Sequence, residues 1–184
     1  VEASLDGVQV WAGSSAALLS RQRVDALFEN ETTGAVIKAL ITGGKATTGT
    51  TEDGLTFPRY VVTREKSAWR HMRELAQYSG LDLYLDTDDQ VNAKAYAKAT
   101  GSSFTYGENL LELEKRALEV DVEGVVVHGD SPAGQGQSDE AVFWFKKEAV
   151  SGNAGKTAGQ VQRYTLMAAR NQDLCKQIAE NLFP

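Results

Sequence analysis

The chain has 184 residues, of which 42% are apolar and 24% are charged. This length and composition allow one ordinary domain or two small ones with a buried core, and they exclude intrinsic disorder. No window approaches the roughly 20 uninterrupted apolar residues of a membrane-spanning helix. Cys175 is the only cysteine, which excludes a disulfide framework. The formal net charge of −6 argues against a surface built to grip nucleic acid.

The first third of the sequence predicts a strand and a helix, separated by a segment whose secondary structure the pattern does not decide. Residues 2–11 alternate as a strand that is broken by a turn at Asp6–Gly7, whereas residues 18–28 show no clean period. Asn30–Thr33 offers N-cap residues for a helix that ends at Gly43–Gly44. The apolar stripe of that helix consists of Val36, Ile37, Leu40 and Ile41. The threonine-rich segment 45–53 predicts an exposed loop.

The middle of the chain predicts a helix followed by a β-hairpin. Ser67 is the expected N-cap, Gly80 the expected end, and residues 81–85 and 91–97 alternate as strands around a turn at Asp88–Asp89. Tyr60, Val61 and Val62 form a short β-type run before the helix. One helical face carries Trp69, Met72, Leu75 and Ala76.

From Phe104 onward the pattern is mostly that of strands, and the chain ends in a helix. The predicted strands cover residues 110–114, 120–127, 141–145 and 161–166, separated by loops at 129–138 and 151–159, and the helix covers 171–182. Together these elements predict the α+β class. The helix and hairpin occupy residues 1–116, and an antiparallel, barrel-like β region with a C-terminal helix occupies residues 117–184.

Three segments resemble chemical motifs without completing them. Residues 151–157 resemble a phosphate-binding loop, but Val150 stands where a glycine is required and a strand follows, so a β-hairpin loop is favoured. Gly129–Ser131 resembles the nucleophile turn of a serine hydrolase, but no histidine follows Ser131. Residues 86–90 resemble a calcium loop, but Val91 and Ala97 occupy the positions of its glycine and glutamate, which favours a solvated hairpin turn.

Two histidines and one cysteine, far apart in sequence, make a poor metal set, and Cys175 lies on the apolar stripe of the last helix, where it is expected to be buried and inert. The aromatic residues, Trp69 and 143–145 among them, fall at core-type positions rather than on a base-stacking surface. The sequence therefore predicts no catalytic residue, no cofactor and no metal site.

Several segments, in this order and spacing, resemble the phage tail baseplate hub proteins of the late control protein D family, which are related to the tube part of the type VI secretion spike. The matching residues are Arg64–Trp69, Leu75–Ala76, Gly80–Asp86, Phe104–Leu113, Val120–Gly129 and the final helix. Family members usually begin with a full β-barrel domain, whereas only a remnant fits within residues 1–28 here.

The resemblance implies a homotrimeric ring that joins a tail tube to a spike in the virion tail of a phage or phage-like contractile injection system, assembled in the bacterial cytoplasm. Its partners would be copies of itself, tube proteins and spike proteins, with DNA passing through the lumen unbound. The packed positions of the tube wall would be Leu111, Leu113, Val120, Val122 and Val125. Glu112, Glu114, Asp121 and Glu123 would face outward, either lining an acidic lumen or solvating an outer face.

Two other classes of function stay open at this point. A monomeric α+β binding module would recognise a protein or a small ligand through one surface cleft. An enzyme would use Ser131 or the acidic hairpin, and would need a titratable group with a perturbed pKa in a pocket.

Overall fold

A computed structural model describes residues 2–4, 7–9, 13–96, 103–114, 122–130 and 150–183. Helices and strands alternate in an α+β arrangement, as predicted. In chain order the elements are β1 (Glu2–Ser4), β2 (Gly7–Gln9), α1 (Ala16–Arg21), β3 (Ala26–Thr32), α2 (Thr33–Gly43), β4 (Thr47–Thr51), β5 (Thr56–Val62), α3 (Ala68–Tyr78), β6 (Leu81–Leu85), β7 (Gln90–Ala95), β8 (Gly124–Gly129), β9 (Ser151–Gly155), β10 (Val161–Leu166) and α4 (Gln172–Leu182).

The three long helices begin where the sequence predicts, each at a side-chain cap. Thr32 Oγ1 accepts a hydrogen bond from Ala35 N at 3.1 Å, and Ser67 Oγ accepts one from Arg70 N at 3.3 Å. Asn171 Oδ1 accepts one from Leu174 N at 2.8 Å. Each cap satisfies a backbone N–H that has no partner within its own helix, which fixes the first turn.

Strands β6 and β7 form the predicted antiparallel hairpin, and β4 joins them in the order β4-β7-β6. The prediction of an exposed loop over residues 45–53 is wrong, because β4 pairs in parallel with β7. β-branched threonines suit a strand, and Thr50 N donates to Asn92 Oδ1 at 2.8 Å. Gly49 permits this approach, since a Cβ there would lie 2.5 Å from that same oxygen.

Residues 18–28, whose secondary structure the sequence does not decide, form part of helix α1 and the start of β3. Strand β3 pairs antiparallel with β5 as a two-stranded ribbon, in which Leu27 lies opposite Val61. The predicted β-type run at residues 60–62 forms the end of β5. Phe57, Tyr60 and Val62 of β5 are buried and belong to the hydrophobic core.

The last three strands form a sheet with the order β10-β8-β9, in which β8 pairs in parallel with β10 and antiparallel with β9. The described part of this region is therefore a mixed sheet and not a closed barrel. The predicted loop over 151–159 is wrong for residues 151–155, which are strand β9, whereas the residues after them form the connection to β10, which passes across β8. The sequence does not predict this strand because its residues are small. Small residues are needed here, since Gly152 packs directly on the backbone of α4.

A continuous core joins the elements before and after the gap at 115–121. Leu75 and Met72 of α3 and Ile178 of α4 belong to one buried cluster, together with Val125 and Val127 of β8. The Asn181 side chain ties α4 to α3 by donating to the Tyr78 carbonyl at 2.9 Å. The division at residue 116 stays a prediction, because that position lies outside the described residues.

Several predicted features also lie outside the described residues: the strand at 141–145 with its aromatic residues, most of the loop at 129–138, Val120, Asp121 and Ser131. Among the helices that the structure describes, none is both long enough and apolar enough to cross a membrane.

Candidate interaction surfaces

The acidic hairpin that resembles a calcium loop is a self-satisfied turn. Asp86 Oδ1 accepts hydrogen bonds from Gln90 N at 2.9 Å and Asp88 N at 3.0 Å, while Oδ2 accepts one from Asn92 Nδ2 at 2.9 Å. These bonds, the one from Gln90 first, lower the pKa of the Asp86 carboxyl group. The Asp89 carboxylate accepts the Ser15 N–H at 3.0 Å. The carboxylates thus hold the turn and the start of α1, which agrees with the hairpin interpretation.

The segment that resembles a phosphate loop lies in β9 and the turn after it. Lys156 donates through Nζ to Glu123, and this ion pair lowers the pKa of the Glu123 carboxyl group. No helix follows the lysine; the chain turns and enters β10. Phosphate binding in such a loop needs backbone N–H groups at a helix N-terminus. This segment therefore does not form a phosphate-binding loop.

The remaining candidates for chemistry are dispersed. Cys175 is buried, as predicted, and burial raises the pKa of its thiol. In the part of the chain that the structure describes, no three His, Cys, Asp or Glu side chains come together as metal ligands. The histidines lie apart, His128 on the exposed side of β8 and His71 buried in α3.

Residues 103–114, which we call the apolar arm, fold into a compact turn. Asn109 Oδ1 accepts from Thr105 N at 2.7 Å, and Asn109 Nδ2 donates to Ser103 O at 3.0 Å. Gly107 has a positive φ of 86° and donates its N–H to the Leu110 carbonyl at 2.9 Å. The turn therefore keeps its shape through bonds within itself.

The large apolar side chains of the arm point into solvent. Phe104, Tyr106, Leu111 and Leu113 are between 68% and 85% exposed. The prediction that Leu111 and Leu113 pack against a wall is wrong for this single chain, since no described strand pairs with residues 110–114. The arm also carries Glu108, Glu112 and Glu114 and no basic residue. The arm therefore presents large apolar side chains and acidic side chains on one short segment.

A groove of about 530 Å³ lies between β5, α3 and the segment that follows β10. Its floor is the buried pair Tyr60 and His71, in which the Tyr60 hydroxyl and His71 Nδ1 are 3.1 Å apart. His71 Nε2 lies 3.0 Å from the Thr63 carbonyl oxygen. Burial raises the pKa of Tyr60, and it raises the pKa of Tyr78, beside the groove, to about 12. Both phenols are therefore neutral at ordinary pH.

The rim of the groove combines apolar side chains with paired charges. Val61 is 52% exposed and Met167 is 78% exposed. Glu74 accepts from Lys66 Nζ at 2.7 Å and from Arg70 Nε at 3.3 Å, so its charge is already matched. A groove of this kind suits apolar side chains from another segment better than it suits a bare ion.

Sequence reasoning did not find this groove. The sequence indicates only a strand at Tyr60 and Val61, and it gives no signal that His71 lies against them. Met167 lies just after a predicted strand and carries no motif. The groove arises because β10 lies alongside β8 in parallel, and parallel pairing over this distance in sequence leaves no local signal.

The fold is similar to that of two solved tail proteins. The 43 kDa tail protein of prophage MuSo2 from Shewanella oneidensis gives a TM-score of 0.60 at 13% identity, over 92% of this chain and 52% of that one. A tail protein from Neisseria meningitidis MC58 gives 0.54 at 12% identity, over 90% and 50%. This chain thus spans about half the length of each. No protein-family model and no curated protein sequence matches it.

Proposed function

We propose that the chain is a structural component of a phage or phage-like tail, and more narrowly of the baseplate hub, where it assembles as a trimeric ring between tail tube and spike. The observation that carries the proposal is the shared fold, which covers nearly all of this chain in both tail proteins. The ordered resemblance of residues 64–129 to late control protein D hubs supports the finer assignment. In this role the chain has no catalytic step.

The exposed surface supports a role in self-assembly. A monomeric protein seldom exposes several large apolar side chains on one short segment, and such exposure marks an interaction site. The apolar arm does so with Phe104, Tyr106, Leu111 and Leu113. The net charge of −6 also suits a ring through which DNA passes without binding, because like charge repels the phosphate backbone.

The mass of the chain in dilute buffer tests this proposal. Light scattering on a size-exclusion column is expected to give about 60 kDa, three times the 19.9 kDa of one chain. Negative-stain electron microscopy of the same peak is expected to show rings with threefold symmetry. A species that stays at the mass of one chain at every concentration contradicts the trimeric ring.

The groove favours a second candidate function. A cleft of about 530 Å³ with apolar walls falls within the size range of ligand pockets. In a protein that remains monomeric, it would make the chain a binding module for a peptide or a small molecule. The same mass measurement separates the two, because the module predicts a monomer whose groove is open to solvent.

A further inference from the structure

A second cleft, which we call the α3–β6 cleft, lies between helix α3 and strand β6 and has a volume of about 440 Å³. Trp69, Arg73 and Gln77 line it from the helix, and Leu81 and Leu83 line it from the strand. The two elements follow each other in the chain and are joined by a short turn. The walls of the cleft are therefore a helix and the strand that comes directly after it.

The backbone groups of β6 that face the cleft are those of an edge strand. β6 stands at one end of the order β4-β7-β6. On β7, the Ala93 carbonyl accepts from Glu52 N at 2.8 Å, and Ala95 N donates to Glu52 Oε2 at 3.1 Å. The backbone groups of both alanines thus point toward β4 and away from β6.

The pairing register carries this orientation across to β6. Leu83 lies opposite Ala93, and Leu81 lies opposite Ala95. Because opposed residues alternate between hydrogen-bonded and non-hydrogen-bonded pairs, both of these pairs are of the second kind. The N–H and C=O groups of Leu81 and Leu83 therefore point outward from the sheet. No hydrogen bond among the described residues reaches these groups.

The helix presents an aromatic ring and a cation to the cleft. Trp69, Arg73 and Gln77 recur at four-residue intervals, so they lie on one face of α3. Arg73 is exposed, and no acidic side chain among the described residues lies within ion-pair distance of it. The acidic residue of the cleft, Asp82, lies opposite Lys94 in the hairpin, which offsets its charge. The helix wall therefore suits an apolar side chain beside Trp69 and an acidic one beside Arg73.

We propose that the α3–β6 cleft binds an extended acidic segment of another protein, which adds to the sheet as a strand beside β6. In strand addition, the main-chain groups of a sheet edge provide affinity, and the neighbouring wall selects the side chains. This inference goes beyond the proposed function and does not depend on a ring, because it concerns one chain and its ligand.

The spacing of the two walls fits this occupant. Residues four apart in a helix are about 6 Å apart along its axis. Side chains on one face of a strand repeat about every 6.6 Å. An added strand that runs along α3 with an apolar side chain against Trp69 therefore brings the next side chain of that face to Arg73. A carboxylate at this position would form a charge-assisted hydrogen bond with the guanidinium group.

A second copy of the chain fits the cleft less well than a separate acidic segment does. Pairing of β6 with β6 of another copy would bring a second α3 against the first. The two Arg73 side chains would then meet with like charge, which opposes the contact. An acidic segment carries the opposite charge and meets both walls of the cleft.

A short capped peptide tests the charge requirement. The probe is acetyl-Thr-Val-Thr-Glu-Thr-Val-Thr-amide, which places valine, glutamate and valine on one face of an extended strand, and its control carries lysine in place of glutamate. Fluorescence anisotropy of the labelled peptides is expected to show about tenfold tighter binding of the glutamate peptide.

A charge reversal on the protein tests the assignment to Arg73. Arg73→Glu is expected to reverse the preference between the two peptides. Lys38→Glu is the matched control, because Lys38 is exposed on α2 and does not line the cleft, and it is expected to preserve the preference. Circular dichroism is expected to show the wild-type fold for both. An unchanged preference in Arg73→Glu overturns the acidic occupant.

N-methylated peptides test strand addition. A strand directs alternate N–H groups to opposite edges, so either those of valine and glutamate or those of the inner threonines can face β6, but not both. Methylation of one set is expected to weaken binding about tenfold, and methylation of the other to leave it within about twofold. Equal effects of the two sets overturn strand addition.

Amide hydrogen exchange, followed by NMR, locates the contact. The outward N–H of Leu83 is expected to exchange rapidly in the free protein and about tenfold more slowly with the glutamate peptide bound. The N–H of Tyr84, which lies opposite Asn92 in the alternate kind of pair, is expected to be protected in both states.

The outcomes separate this inference from the proposed function. A Leu83 amide that is already protected in the free protein overturns the docking site, and so does a lack of binding of both peptides at millimolar concentration. Neither result bears on the mass of the assembly. A dimer that pairs through β6 and dissociates when the peptide binds also overturns the proposal, because a second copy is then the occupant. A monomeric chain that binds the peptide as expected contradicts the ring and supports this inference.

Discussion

At the scale of single residues, the carboxylates of the β6–β7 turn hold that turn together. Asp86 accepts hydrogen bonds from two backbone N–H groups and from the Asn92 amide, which closes the β6–β7 turn. The neighbouring Asp89, at a positive φ of 58°, ties the turn to the start of α1 through Ser15. An acidic turn and a cation-binding loop look alike in sequence. In the structure they are distinguished by the backbone N–H groups that bond to the carboxylate.

Asp86 gives the fold a defined acid sensitivity. Its pKa is held below the ordinary value of 3.8, chiefly by the Gln90 N–H, so the ionised form is favoured in the folded state. The resulting stabilisation is present above the unfolded pKa and is lost as the pH falls through the folded one. Asp86→Asn is expected to lower Tm at pH 7 and to flatten the fall of Tm below pH 4, as followed by circular dichroism.

The matched control for this prediction is Asp88→Asn. Asp88 lies in the same turn and donates its backbone N–H to Asp86, but none of the described hydrogen bonds uses its carboxylate. Its substitution removes the same formal charge and is expected to leave the curve of Tm against pH unchanged. Equal effects of the two substitutions would mean that net charge, and not the turn, sets the acid sensitivity.

At the scale of elements, the β9–α4 contact depends on a residue without a side chain. A Cβ on Gly152 would lie 2.2 Å from Lys176 N and 2.6 Å from Cys175 C, both backbone atoms of α4. Strand β9 and the helix can therefore touch only because this position is glycine. The same contact buries Cys175 and Ile178 between the helix and the sheet.

Gly152→Ala is expected to lower the free energy of unfolding by about 2–3 kcal/mol, because the added methyl group forces the strand and helix apart in a packed interior. Gly13→Ala is the control, since a Cβ there would meet only Ala17 Cβ at 3.7 Å, an ordinary contact. Urea denaturation measures both. A Gly152→Ala protein as stable as the control would show that α4 shifts on the sheet without cost.

Elements with strong local signals could be predicted from the sequence. Thr32 and Ser67 mark their helices because a capping side chain bonds within three residues of itself. The β6–β7 hairpin follows from alternation around Asp88–Asp89. Strands β4 and β9 were missed because threonine, glycine and asparagine carry loop-like signals, and their strand conformation depends on Asn92 and on α4, which no local window includes.

The candidate surfaces were harder to predict than the fold. Leu111 and Leu113 have the alternation of packed residues, and the structure of one chain leaves both exposed. An alternating pattern indicates that one face of a segment is buried. It does not indicate whether the surface that covers this face belongs to the same chain. The groove depends on the parallel β8–β10 pair, which joins segments more than 30 residues apart.

At the scale of the whole molecule, the proposed self-assembly would couple association to stability. Burial of the exposed apolar arm against another copy would stabilise the folded state by mass action and make Tm depend on protein concentration. The wild-type chain is expected to gain several degrees in Tm over a hundredfold rise in concentration, as measured by differential scanning fluorimetry. A Leu111→Asp chain is expected to show no such rise, and Leu18→Asp is expected to behave as the wild type.

The packing of α4 against α3 has a consequence for biosynthesis. Helix α4 fills the space between the sheet of β8–β10 and α3, and Asn181 anchors it to the Tyr78 carbonyl. Because domains fold as they leave the ribosome, the earlier elements must wait with their apolar faces uncovered until α4 has been translated. A chain that stalls before α4 keeps those faces open to chaperones and proteases. Loss of α4 is therefore expected to uncover the apolar faces of α3 and β8, which belong to the same buried cluster.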